Sequence, residues 1–287
     1  MTAAERVSGP IEPPTGPEMD FPIEAVMVGG PALLAGVANV IMQLALPGVG
    51  YGVVESKVEN GSAMRHPVKR GRTTFTYLSV ALLGTDTERA AYRRAVNGQH
   101  AQVRSDENSP VKYNAFDPQL QLWVAACLYW GFEDVYRKMR GPIPAEYADG
   151  FYQYGARLGT TLQVRPEMWP ADREAFEVYW TEMQSKMHID DTVRRYLDAL
   201  VRLRNVWAPL RWPLVRFHRF VTIGFLPSMF REQMRYEWSD RDQRRFDRLM
   251  RVISILNNLS PLPVRMFPFN LYMADMRRRL RRGRPLV

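Results

Sequence analysis

The residues with the greatest chemical reach in this chain are four histidines and one cysteine, together with a few arginines placed near hydroxyls. A single cysteine excludes an internal disulfide framework and any multi-cysteine metal site, so ligand chemistry falls to histidine. His66 precedes Pro67 at a helix entry. His188 sits at a helix end, where a cation is favoured, and His218 lies among Arg216, Phe217 and Arg219. Local roles account for those three. His100 differs, because Tyr92, Val96, His100 and Val103 follow at spacings of four, four and three. That spacing puts the imidazole on the apolar stripe of a helix expected from Asp86 to about Arg104. A buried imidazole needs a partner on at least one ring nitrogen. A hydrogen-bonded core histidine meets that need, and so does a ligand to a metal or to haem iron. Upstream, Arg70 and Thr74 stand four residues apart and share a helix face that Leu78 and Ala81 continue. A guanidinium there can hold a carboxylate, such as a haem propionate, through two hydrogen bonds. It can equally be a surface arginine beside a threonine that bonds back to its own turn.

Other chemistries lack their residues. There is no Walker phosphate loop, no H-E-x-x-H, no G-x-S-x-G and no C-x-x-C-H. Gly48-Val49-Gly50-Tyr51-Gly52 follows an apolar helical run rather than a strand, which argues against a nucleotide site. Asn60-Gly61-Ser62 matches a glycosylation acceptor, but no secretory signal supports it. Met1 to Asp20 has five charged residues and four prolines without an apolar run, and reads as a flexible lead-in.

The elements that must hold these side chains read as helices. Of 287 residues, 46% are apolar and 24% charged, which fits a soluble globular chain and excludes disordered, collagen-like and polytopic membrane classes. Thirty-nine basic residues against thirty acidic ones give a net charge of +9, yet six arginines lie in the last eleven residues. The basicity therefore reads as that of a solvated C-terminal tail over 277–287, which suits an anionic membrane surface or nucleic acid equally. No RNP-like or zinc-finger pattern points to specific nucleic-acid binding. Ala25 to Val54 carries no charge, but glycines and prolines interrupt it. Its proline-free part, Ala32 to Leu46, is expected to be a buried core helix ending at Pro47-Gly48 rather than a membrane span. Helices are also expected at Lys69 to Leu83 behind Pro67, from Asp117-Pro118 to Gly141, and at Pro144 to Leu158. Further ones are expected at Ala171 to Met187, Asp191 to Asn205, Leu214 to Ile223, Pro227 to Tyr236, Ser239 to Asn257 and Val264 to Arg282. The chain is thus expected to be one all-α domain over 21–276, cytoplasmic and at most peripheral to a membrane, between the lead-in 1–20 and the basic tail.

Several short motifs occur in order. They are Arg70-Gly71-Arg72-Thr73-Thr74, His100-Ala101-Gln102-Val103, Tyr113-Asn114-Ala115-Phe116-Asp117-Pro118 and Trp123-Val124. Pro31 to Gly36, Pro47 to Gly50, Gly224-Phe225-Leu226-Pro227 with Arg231, and Pro263-Val264-Arg265 add to them. The whole resembles the family of latex-clearing rubber oxygenases and MpaB-type oxygenases, whose pattern is R-x-x-x-T, H-x-x-V, Y-x-A-x-D-P and W-V. Arg72 to Thr76 and His218 to Val221 repeat two of these motifs, and order and spacing select the first copies. The resemblance implies an all-helical protein with a globin-like core that binds haem b. His100 then matches the proximal iron ligand, and Arg70 and Thr74 match the arginine and threonine of the haem pocket. Some rubber oxygenases carry a lysine just before that threonine, where this chain has Thr73. The catalytic glutamate of those enzymes has Glu55 as its nearest candidate, which otherwise reads as a solvated charge past the glycine-rich turn. The implied activity is a haem-dependent oxygenase using dioxygen on an apolar, alkene-bearing substrate of isoprenoid type. The alternative is a non-catalytic haem- or lipid-binding helical protein held at a membrane by its tail.

Overall fold

A computed structural model describes residues 21–58 and 61–287, so the lead-in over 1–20 and Asn60 lie outside the described residues. In chain order the helices are α1 (Ile23–Val26), α2 (Gly29–Leu34), α3 (Gly36–Leu44), α4 (Pro47–Val54), α5 (Pro67–Leu83), α6 (Asp86–His100), α7 (Pro118–Arg140), α8 (Ala145–Gly155) and α9 (Arg157–Thr160). They continue as α10 (Arg173–Gln184), α11 (Asp191–Val201), α12 (Ala208–Phe225), α13 (Ser228–Gln233), α14 (Asp240–Leu259), α15 (Leu262–Arg265) and α16 (Phe269–Arg281). Among the described residues the only extended pairing outside these helices is a bridge between Arg104 and Asn114. The chain is an all-α single domain.

Local chemistry sets the boundaries. Thr85 accepts from the Glu88 amide while the Glu88 carboxylate accepts from the Thr85 amide, closing a capping box at the start of α6. Asp117 caps α7 with Pro118 in its first position, and Gly141 ends it at φ 82°, in the left-handed region. The charge-free stretch is not one helix. Pro47 holds Leu46 extended, and the chain bends by 110° between α3 and α4. The glycine-rich run, expected as a turn, is helical instead. A Cβ on Gly50 would lie 2.6 Å from the Leu44 carbonyl oxygen, and one on Gly48 would lie 3.0 Å from Leu120, so close packing needs the bare backbone. Among the described residues no single helix is long and apolar enough to cross a membrane, and the bent α3–α4 pair meets that test by length and composition only.

Helix α7 runs through the main core. Trp123 is fully buried and its indole nitrogen donates to the carbonyls of Met42 and Gln43 on α3. Trp180 of α10 stacks on Trp123 and Trp130, with centroids 5.1 and 5.4 Å away. Tyr129 meets Tyr152, Trp169 and Phe176 edge to face. A smaller apolar cluster joins Val80 of α5, Tyr92 and Val96 of α6, and Met273 and Met276 of α16. Leu286 is buried in that cluster. The basic segment read as a solvated tail is therefore packed against the body. Arg277 to Arg281 form the last turns of α16, and Arg277 pairs with Glu88. The methionines on the inner face of α16 are responsible, because they bury apolar surface while the arginines stay in water.

Candidate functional site

Helix α6 ends at His100, four residues before the expected Arg104, because the chain turns there to pair with a later segment. The Ser105 amide donates to the Tyr113 carbonyl and the Ala115 amide donates to the Val103 carbonyl, both at 2.9 Å. The H-x-x-V and Y-x-A-x-D-P motifs are thus opposite sides of one small clasp. It seats the Phe116 ring edge-on to the imidazole, with centroids 6.3 Å apart, and passes directly into the Asp117 cap of α7. His100 itself is half-buried, but its Nδ1 is fully buried and has no hydrogen-bond partner among the described residues. Burial pushes the pKa of the imidazole down to about 4, and the nearby Arg70 charge acts in the same direction. The ring is neutral near pH 7 and keeps one lone pair for a ligand.

Helix α5 supplies the facing groups. Arg70 is exposed and its side chain makes no hydrogen bond or ion pair among the described residues, while Thr74 is half-buried one turn further on. The Tyr92 hydroxyl donates to the Thr73 carbonyl at 2.8 Å, tying α5 to α6. The Thr73 hydroxyl bonds back to the Lys69 carbonyl at 3.0 Å. The structure therefore brings Arg70 and His100 into electrostatic reach, with Thr74 on the same helix. Glu55 belongs to a different setting. It caps the C-terminus of α4, and its Oε2 accepts from Ser109 and from the Tyr113 hydroxyl, each at 2.8 Å. Lys57, Arg104, Asp106 and Asn108 line the same cleft. Burial first, and then the bond to Glu55, push the pKa of Tyr113 up to about 12.

Two features escaped the sequence reading. The Nη1 of Arg72 is buried without a partner, and the only signal was its place at the head of the repeated R-x-x-x-T run. Phe116 was visible only as a motif residue. Trp123 and Trp130 are taken up by the stack with Trp180. Among the described residues no group of three or more His, Cys, Asp and Glu is placed to hold a metal ion. A haem iron asks less of the protein, because the macrocycle supplies four donors and a single axial histidine can complete the attachment. The donor set fits that case. It offers one neutral imidazole with an unpartnered ring nitrogen, and two guanidinium groups with open donors on the neighbouring helix.

Residues 25–255 match the family described as ER-bound oxygenase mpaB/B'/Rubber oxygenase, catalytic domain. The chain belongs to this family. The matched stretch contains Glu55, Arg70, Thr74 and His100. An uncharacterized protein of Mycobacterium bovis and an uncharacterized protein of Mycobacterium tuberculosis are each 50% identical to it over 255 residues. Each match covers 89% of this chain and 100% of the relative. No solved structure matches the chain.

Proposed function

We propose that the protein is a haem-dependent oxygenase that uses dioxygen on an apolar, alkene-bearing substrate of isoprenoid type. Family membership supports the oxygenase class. The observation that carries the cofactor reading is the buried, unpartnered Nδ1 of His100 beside the unpaired Arg70. In this reading His100 ligates the iron of haem b through one ring nitrogen, and the other takes an outer acceptor that fixes the ring. Arg70 pairs with a propionate, Arg72 offers a second donor, and the Thr74 hydroxyl supplies a hydrogen bond within the pocket. Phe116 lies edge-on to the ring and shields it from water. Haem bound there supplies the redox chemistry with dioxygen, and the chain binds, orients and excludes solvent. Glu55 is the candidate catalytic carboxylate, already oriented by Ser109 and Tyr113.

The test is an absorption spectrum of the full chain purified from haem-supplied cells, with iron measured on the same sample. A Soret band with one haem per chain is expected, followed by oxygen consumption when squalene is added as a model polyisoprenoid. A colourless protein that takes up no added haem removes the reading. A red protein that consumes no oxygen with any alkene instead favours a non-catalytic haem carrier.

A further inference from the structure

Between Asp198 and Glu232 the sequence has six arginines and no acidic residue. The body of the chain is therefore less evenly charged than its near-zero total suggests. The first half of α12 lies in that interval. Trp207 before it and Trp212 within it are 76% and 77% exposed, and Leu210, Leu214 and Phe217 are also exposed. Leu210, Leu214 and Phe217 follow at spacings of four and three, so they form one outward stripe. Arg204 and Arg216 are exposed and Arg211 is half-exposed, and none of the three has an ion-pair partner among the described residues. The C-terminal half of the helix is anchored, with His218 Nδ1 at 2.9 Å from the Val201 carbonyl and Val221 to Phe225 buried. The folded chain leaves the N-terminal half uncovered, and an apolar stripe with Trp207 at its start, beside the exposed Trp212 on another side, is costly to leave in water.

We propose that the N-terminal half of α12 is an interfacial docking helix for an anionic lipid bilayer. It lies in the headgroup region with Leu210, Leu214 and Phe217 toward the acyl chains, Trp207 at the boundary, and Arg204, Arg211 and Arg216 on lipid phosphates. Charge complementarity selects this occupant. A two-fold contact between copies of this chain would set these arginines against their own mates. A nucleic acid would take the arginines and leave the apolar stripe wet. A bilayer with anionic headgroups satisfies both sets. The helix joins the molecule beside the start of α5, where Asn205 donates to the Ala63 carbonyl at 3.0 Å. An apolar substrate dissolved in the membrane therefore arrives at the end of the fold that carries Arg70. The docking claim does not depend on the haem reading, and its test uses no activity.

The experiment is co-sedimentation of the full chain with vesicles of phosphatidylcholine alone and of equal parts phosphatidylcholine and phosphatidylglycerol. The wild type is expected to pellet with the mixed vesicles, with weaker partition at high salt. R211Q/R216Q is expected to lower that partition about 25-fold, at about fivefold per arginine near the surface. W207S/W212S is expected to lower it at least as much. R282Q/R284Q, at exposed positions beyond α16, is expected to leave it nearly unchanged. Brominated lipids should quench the wild-type tryptophan fluorescence, which reads docking without any variant. Equal partition of wild type and both α12 variants overturns the proposal, as does loss of binding in R282Q/R284Q alone. A dimer in light scattering that W207S/W212S abolishes would assign the face to a second copy. Vesicle-free binding of RNA that R211Q/R216Q abolishes would assign it to nucleic acid.

Discussion

The slab around α7 and the face between α5 and α6 are built from similar helices and treat polarity in opposite ways. In the slab, rings meet rings, and most polar tips find a backbone acceptor. The Trp123 indole donates to α3 carbonyls, the Tyr152 hydroxyl to Pro170 and the Tyr154 hydroxyl to Leu82. The atoms it leaves unpartnered, Tyr129 Oη, Trp169 Nε1 and Tyr179 Oη, belong to neutral groups. At the α5–α6 face, the unpartnered atoms are the Thr76 hydroxyl, the Nδ1 of His100 and a nitrogen of the charged Arg72 guanidinium, with the Arg70 charge close by. A buried polar group without a partner costs roughly 1–3 kcal/mol, more when charged. One region leaves only neutral groups unpartnered. The other is arranged as a region would be if its acceptors came from a bound group.

Substitutions in the two regions should therefore fail differently. The largest expected effect is in His100→Ala, which should abolish the Soret band while leaving the melting temperature of the haem-free protein nearly unchanged. Full haem content in that variant would end the ligand assignment. Trp180→Ala should act the other way, removing the ring that bridges Trp123 and Trp130 and costing about 3–5 kcal/mol in denaturant unfolding. A cost below ~1 kcal/mol would show that the stack does not hold the core. Arg89→Met tests the border between the regions. Arg89 is buried, with bonds to Thr160, Thr161 and Asp86, and losing them should cost about 2–3 kcal/mol. Thr85→Ala should cost about 1 kcal/mol by opening the capping box. Glu55→Gln should have the smallest structural effect, with stability and haem content near wild type. A clear fall in oxygen consumption in this variant supports Glu55 as the catalytic carboxylate, and unchanged turnover removes it from the site.

Local signals made much of the fold legible. Thr85, Asp117-Pro118, Gly141 and Ser239 each mark a helix end by hydrogen-bond chemistry that needs only neighbouring residues, and the structure has all four. The departures come from contacts distant in sequence. Nothing near Gly48 announces that Leu120 lies against it. The early end of α6 follows from a pairing across residues 103–115. The arginines of the last segment looked like a tail because charge counts do not register Met273 and Met276 on the inner face. The site was legible to the same degree. His100, Arg70 and Thr74 could be named from spacing and family resemblance, whereas the burial of Arg72 and the setting of Glu55 depend on tertiary packing. The arginine-rich face of α12 was hidden by a total that averaged it against acidic residues elsewhere.

The clasp at residues 103–115 separates two kinds of evolutionary freedom. Its hydrogen bonds close at Ser105 and Tyr113, so the polar excursion between them hangs outside the element that sets the histidine. Residues there can lengthen, shorten or change composition with little leverage on the imidazole. The first and last positions of the clasp have no such latitude, since sliding one strand by a residue would turn Phe116 away from His100. A lineage could thus remodel the rim of the cleft beside Glu55 while inheriting the histidine's orientation intact.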